Sequence, residues 1–409
     1  MPLAHNGGNP IFDENSAPEY LNVPDPGTIC AHHGEDRELH RGAVIPPIYQ
    51  NSLFTFPSCE ERSRKWLPHD AEIYDYTRVS NPTTDIAEAK IAALEGADRA
   101  RCFGSGMAAI SAAILSCVKS GDHVVALETS YGPTRQFLSD YLIRFGISVT
   151  YVDGDDPGEW ADAVLPNTTL FYLETPSSMI FKQQDLRAIT AIAREHGIAT
   201  IADNSWATPV YQNPIRFGVD LVLHSATKYL GGHSDIVAGV VAGSEARMKK
   251  LQAEEGCLLG GILDPFASWL LIRGLRTLPV RLQRHQESAT KIANALLDHP
   301  AVAAVYYPGL RTDRQPEITR TQLRGTSGLF SVEFKQSGPE AVRRFVNSLK
   351  YFGIGCSWGG FESLAIPAGA MEKSLGGVGT AHRSFVRLHI GLESAEDLWD
   401  DIEAALKAI

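Results

Sequence analysis

The sequence has no CxxC pair, no apolar run near the roughly 20 residues that span a bilayer, and no surplus of basic charge. Each absence closes a class of function. The six cysteines (Cys30, Cys59, Cys102, Cys117, Cys257, Cys356) are scattered, which fits reduced thiols better than disulfides or a zinc cage, so no metal site is expected. Lys and Arg number 37 against 48 Asp and Glu, a formal net charge of −11. That balance argues against nucleic-acid and anionic-membrane partners, which need clustered cations. The opening MPLAHNGGNPIFDENSAPEY has neither a basic n-region nor an apolar h-region, so a cytoplasmic location is expected. There is no internal repeat and no low-complexity tract.

What is present is a chain of 409 residues, 44% hydrophobic, enough to bury a large core as two domains or as one domain with appendages. The first 40 or so residues are rich in Gly, Pro, Asn and Asp without a sustained period and read as an arm. Pro46 and Pro47 introduce the extended apolar segment IYQNSLFTF. Helical spacing then runs from Thr84 to Glu95, stopped by Gly96, and from Met107 to Val118, stopped by Ser120-Gly121-Asp122. Strand-like runs follow at His123 to Leu127, Leu170 to Glu174, Ala199 to Asp203 and Leu221 to Ser225, with helical spacing from Asp185 to His196. This alternation predicts βαβ units and a mostly parallel sheet flanked by helices, with reactive groups at the strand C-termini. After Arg273-Gly274-Leu275-Arg276 the composition shifts. Strands at Gly328 to Phe334 and Phe385 to Ile390, with a capping-box-like Ser394 and Asp397 opening a last helix, predict a second, smaller α/β layer.

Lys228, in His224-Ser225-Ala226-Thr227-Lys228-Tyr229, stands just past a strand among hydroxyl residues, a place suited to a Schiff-base amine as well as to a solvated loop lysine. Asp203 ends a buried-looking strand 25 residues earlier and is placed to hold a pyridine nitrogen protonated, or merely to cap a turn. Gly104-Ser105-Gly106-Met107 opens a helix, so the Gly106 and Met107 amides would face an anion at the positive end of its dipole. Ser225 and Thr227 would add hydroxyl donors. GSGMAA is neither a dinucleotide fingerprint nor a Walker A loop.

Tyr76-Thr77-Arg78 with Asn81-Pro82-Thr83, SGMAA, Tyr131-Gly132-Pro133-Thr134, Ala202-Asp203-Asn204, SATKYLGGHSD, RGLRTL and Ser357-Trp358-Gly359-Gly360 together resemble the pyridoxal-phosphate (PLP) transsulfuration enzymes, the cystathionine lyases and synthases with the methionine lyases. The resemblance runs from about residue 40 to the C-terminus. It implies the aspartate-aminotransferase-like fold (fold type I), with a seven-stranded-type sheet and a smaller C-terminal domain. It also implies three parts: residues 1–65 as an extension and arm contacting a neighbouring subunit, 66–272 as the PLP-binding large domain, and 273–409 as the small domain.

The same resemblance implies roles. Lys228 would carry PLP and move protons, Asp203 would pair with the ring nitrogen, and Tyr131, otherwise readable as a core aromatic, would stack on the ring. Gly106, Met107, Ser225 and Thr227 would hold the phosphate. Tyr76 and Arg78 would reach the phosphate of a neighbouring subunit, implying a homotetramer built from dimers that share active sites, with Tyr76 also counted among the catalytic groups. Arg387, in an alternating strand where a surface arginine is the plainer reading, would grip the substrate carboxylate.

Ser357, Trp358 and Cys356 would border the substrate. Ser357-Trp358-Gly359-Gly360 and Glu174-Thr175-Pro176-Ser177-Ser178 resemble bacterial cystathionine β-lyases, which implies an α,β-elimination giving thiol, pyruvate and ammonia. Cys356 departs from the pattern at a position implied to touch the distal substrate, unless it is only a small packing residue. A γ-lyase on cystathionine, methionine or canavanine therefore stays open, as do a γ-replacement synthase and a homologue that binds PLP without catalysis.

Overall fold

The computed structural model describes residues 25–64, 73–336, 338–367 and 385–409. The first 24 residues of the expected arm lie outside them.

Seven strands build the first sheet: β1 (Arg99–Phe103), β2 (His123–Leu127), β3 (Ser148–Val152), β4 (Thr168–Glu174), β5 (Ala199–Asp203), β6 (Leu221–His224) and β7 (Gly239–Gly243). Their spatial order is β1-β7-β6-β5-β4-β2-β3. β3, β2, β4, β5 and β6 run parallel, and β7 alone is antiparallel to both its neighbours. Four of the parallel strands, β2, β4, β5 and β6, are buried almost throughout because helices cover both faces, so side chains pointing either way are shielded from water. The mostly parallel seven-stranded sheet is thus as expected.

A five-stranded sheet follows: β8 (Val302–Tyr306), β9 (Leu329–Phe334), β10 (Gly353–Ile354), β11 (Leu364–Pro367) and β12 (Phe385–His389), in the order β10-β11-β12-β9-β8. It packs against the Leu278–Leu297 and Ala395–Leu406 helices around a core that includes Phe330, Leu388, Leu398 and Ile402.

Helix starts follow local capping chemistry. The Pro82–Glu95 helix begins two residues before the periodicity does, because Asn81 accepts a hydrogen bond from Thr83 N at 2.9 Å and Pro82 needs no partner at the first position. Gly96, with φ of 70°, closes it. The second helix, expected to reach Val118, spans Gly106–Leu115; Ser116 ends it by donating its hydroxyl back to Ala113 O at 2.7 Å. β6 stops one residue short of the expectation, at His224, because Ser225 N leaves the ladder to donate to Ser205 Oγ at 2.7 Å.

Candidate active site

β5 and β6 place Asp203 and the Lys228 loop side by side at the C-terminal edge of the sheet. Beyond β6 the chain coils tightly: Lys228 N donates to Ser225 O at 3.0 Å and Gly232 N to Lys228 O at 2.8 Å. The Lys228 side chain points toward a loop of the second sheet. Its amine donates to Ser357 Oγ at 2.7 Å and lies 5.5 Å from the centre of the Trp358 ring. Burial, assisted by the charge of Arg387, draws the Lys228 pKa from 10.5 down to about 8. Gly359 permits this approach: with φ of 84°, a Cβ there would stand 2.6 Å from Tyr229 N and 2.8 Å from Lys228 C.

Two buried carboxyls close the ends of neighbouring strands, Glu174 on β4 and Asp203 on β5, in register with each other. Asp203 accepts from Ser205 N at 2.9 Å; burial raises its pKa, while its bonds to Ser205 and the charges of His224 and Lys228 pull the other way. Burial and the neighbouring Asp203 charge push the Glu174 pKa up to about 8, so two carboxyls that disfavour each other's charge share this edge of the sheet. The two Glu174 oxygens accept from Tyr131 N at 2.6 Å and from Ser178 Oγ at 2.8 Å. Tyr131 opens the Gly132–Gln136 helix, is 40% exposed, and has its phenol within electrostatic reach of Asp203, Cys356 and Arg387.

Arg387, on β12, is buried yet has no carboxylate partner among the described residues. Its Nη2 donates to Cys356 O at 2.7 Å and to Ser357 O at 3.4 Å, and burial lowers its pKa to about 10. A guanidinium so desolvated and so little engaged has N–H groups left for an incoming carboxylate.

On the other side, Ser105 caps the Gly106–Leu115 helix by accepting from Ala108 N at 3.0 Å, leaving the Gly106 and Met107 amides without intrahelical acceptors. A Cβ at Gly106 would stand 2.8 Å from Ser225 Oγ, so glycine keeps this space open. Thr227 is braced against Ala238. Its hydroxyl donates to Ala238 O at 3.1 Å and accepts from Ala238 N at 2.9 Å, which leaves Ser225 as the hydroxyl without a described protein partner.

Lys228, Asp203, Tyr131, Arg387, Cys356, Ser357 and Trp358 are therefore brought together, with Gly106 and Ser225 beside them. Tyr76 and Arg78 are elsewhere. Arg78 donates to Cys257 O at 2.6 Å, its guanidinium lies 5.6 Å from the Tyr76 ring centre, and both line a cavity of about 510 Å3 with Gln50, Asn51 and Asp264. The larger cleft, about 520 Å3 between Phe181-Lys182 and β8, holds none of these groups. Sequence reasoning missed Glu174, Ser205 and Ser178 as site residues. Glu174 carried a usable signal, since it ends an apolar strand just as Asp203 does.

The donor set fits PLP: a buried amine with lowered pKa, a buried carboxyl for the ring nitrogen, a helix N-terminus kept open by glycine for the phosphate, and an arginine with no carboxylate partner among the described residues for a substrate carboxylate. Fold and site together define a fold type I PLP enzyme. The chain belongs to the family of Cys/Met metabolism PLP-dependent enzymes, whose profile matches residues 27–407. It is similar to the L-methionine gamma-lyase of Pseudomonas putida, 38% identical over 392 residues that cover 94% of this chain and 98% of that one. It is also similar to the cystathionine beta-lyase MetC of Bacillus subtilis (strain 168), 39% identical over 387 residues, 93% of this chain and 96% of that one. Among solved structures it resembles metB from Corynebacterium glutamicum, with a TM-score of 0.88 and 34% identity over 97% of this chain and 99% of that one.

Proposed function

We propose that this PLP-dependent lyase catalyses α,β-elimination on a sulfur-containing amino acid of the cystathionine type: the substrate and water give a free thiol, pyruvate and ammonium. The observation that carries this reading is the Lys228 amine fixed at one point by Ser357 Oγ, with the Trp358 ring beside it. α,β-Elimination asks for a base at Cα alone, whereas γ-elimination asks for a second proton transfer at Cβ.

Arg387 binds the substrate α-carboxylate with a two-pronged fork, fixing Cα near the Lys228 amine. With a pKa of about 8 instead of 10.5, a useful share of that amine is neutral near physiological pH and takes the Cα proton. Bound PLP supplies the electron sink for the resulting charge, and Asp203 keeps its ring nitrogen protonated. Tyr131 would cover the ring, Gly106, Met107 and Ser225 would hold the phosphate, and Thr227 braces the loop through Ala238. Cys356 and Trp358 border the distal part of the substrate.

Tyr76 and Arg78 lie apart from this cluster and serve the site of a neighbouring subunit. Exposed Leu53, Leu258, Leu259 and Phe266 supply apolar surface that supports such a dimer. Residues 66–272 and 273–409 act as PLP-binding and small domains. A second reading, γ-elimination, is favoured by the relatives named L-methionine gamma-lyase. Mass spectrometry of products from cystathionine, methionine, a homoserine ester and canavanine decides between them. Pyruvate with free thiol from cystathionine is expected; 2-oxobutyrate as the main keto acid refutes the β assignment.

A further inference from the structure

Beneath the ends of β5 and β6 lies a buried pair of titratable side chains that the reaction above leaves unused. His224 ends β6 and Glu95 ends the Pro82–Glu95 helix; both are fully buried, with His224 Nε2 2.5 Å from Glu95 Oε1. The same Glu95 oxygen accepts from Asn204 Nδ2 at 3.1 Å. Asn204 directly follows Asp203, and His224 directly precedes Ser225. One carboxylate oxygen thus ties together the two chain segments that present the ring-nitrogen acid and the phosphate-binding loop. Ser205 ties them a second time, donating its N to Asp203 Oδ1 at 2.9 Å and accepting from Ser225 N at 2.7 Å.

If the Glu95 link only held strands together, neutral amides would serve with less desolvation. A carboxyl and an imidazole instead allow a buried charge. Among the described residues His224 Nδ1 and Glu95 Oε2 have no hydrogen-bond partner, so the pair has spare polar capacity facing the interior. Around Asp203 stand Glu174 and Tyr172 of β4, Tyr131, Lys228 and His224. Of these, Lys228 is the one assigned to holding the cofactor, which leaves His224 as the other basic side chain beside Asp203.

We propose that Glu95 and His224 are positioning residues of the cofactor site: Glu95 holds His224 as an imidazolium, whose charge keeps the neighbouring Asp203 ionised and able to hold the PLP ring nitrogen protonated. This rests on the assignment of Asp203 above.

Removing the imidazolium makes Asp203 easier to protonate, so PLP binding is lost at a higher pH as the pH falls. The test is the affinity of the cofactor-free protein for PLP, followed by tryptophan fluorescence and equilibrium dialysis from about pH 6 to about pH 9. His224→Gln, whose amide can replace the bond to Glu95, is expected to bind like wild type at the alkaline end. Its acid limb should move up by about one unit, roughly a tenfold loss at a fixed acidic pH. Glu95→Gln should shift the limb in the same direction, and it carries the test if His224→Gln does not fold. Acid limbs that coincide with wild type, or an affinity loss that is the same at every pH, would overturn the proposal. Asp203→Asn separates the two claims: unchanged PLP binding in that variant would instead condemn the Asp203 assignment.

Discussion

Lys228 sits where its own charge is disfavoured, and the consequence for stability can be worked out. Its pKa is drawn from 10.5 to about 8 in the fold, whereas in the unfolded chain it titrates near about 10.4. Between those values the folded protein binds fewer protons than the unfolded chain, so stability rises with pH across that window. The penalty is fully present below about pH 8. At 1.36 kcal/mol per unit it amounts to about 3 kcal/mol. Lys228→Met removes the charge while keeping most of the volume, but it takes the donor away from Ser357, which returns about 1 kcal/mol. The variant should therefore be more stable than cofactor-free wild type by about 2 kcal/mol at neutral pH. With an unfolding entropy of about 2.1 cal/mol/K per residue over the whole chain, that is a rise in Tm of about 2 °C. Calorimetry of both proteins without PLP, at about pH 7 and about pH 10, measures it. A variant that melts at or below wild type at neutral pH, or a difference that does not shrink at alkaline pH, refutes the reasoning.

Gly106→Ala would place a Cβ 2.8 Å from Ser225 Oγ and 3.0 Å from Ser225 Cβ, forcing the serine into the space left for the phosphate. Dialysis against PLP should show an affinity loss of about tenfold or more, with the cofactor-free melting point little changed. Arg387→Ala should lower kcat/KM by about a hundredfold, mainly through KM, while the visible absorbance of bound PLP persists. Arg387→Lys should recover little of it, since an ammonium lacks the planar fork; loss of the cofactor band in either variant would show that Arg387 serves PLP instead.

Much of the large sheet was legible because strands buried on both faces leave unbroken apolar runs, as in HVVAL of β2 and LFYLE of β4. β7 was not, because GVVAG has a glycine at each end, and nothing local marks a strand whose direction is set by its neighbours. β3 was missed since Ser148 and Thr150 face outward at an edge of the sheet, where burial writes a weaker pattern. In the site, Lys228, Asp203 and Arg387 were legible through motif order, which specifies identity but not contact. The Lys228 bond to Ser357 spans 129 residues of sequence, and the Tyr131 bond to Glu174 spans 43. Such distant pairings leave no periodic trace, which is why the bond between Glu174 and Tyr131 appears only in three dimensions.

The partner of the Lys228 amine belongs to the other sheet, in the loop between β10 and β11. Ser357 follows β10 and its carbonyl is held by Arg387 of β12, so the resting amine is latched by a bolt mounted on a different body of the protein. On the role proposed for Arg387, a substrate carboxylate would meet a guanidinium that already steadies this loop through Cys356 O and Ser357 O. On the roles proposed for Arg387 and Lys228, the substrate's anchor and its base would thus be held to one loop, Cys356 and Ser357, so that a shift in either would be felt by the other.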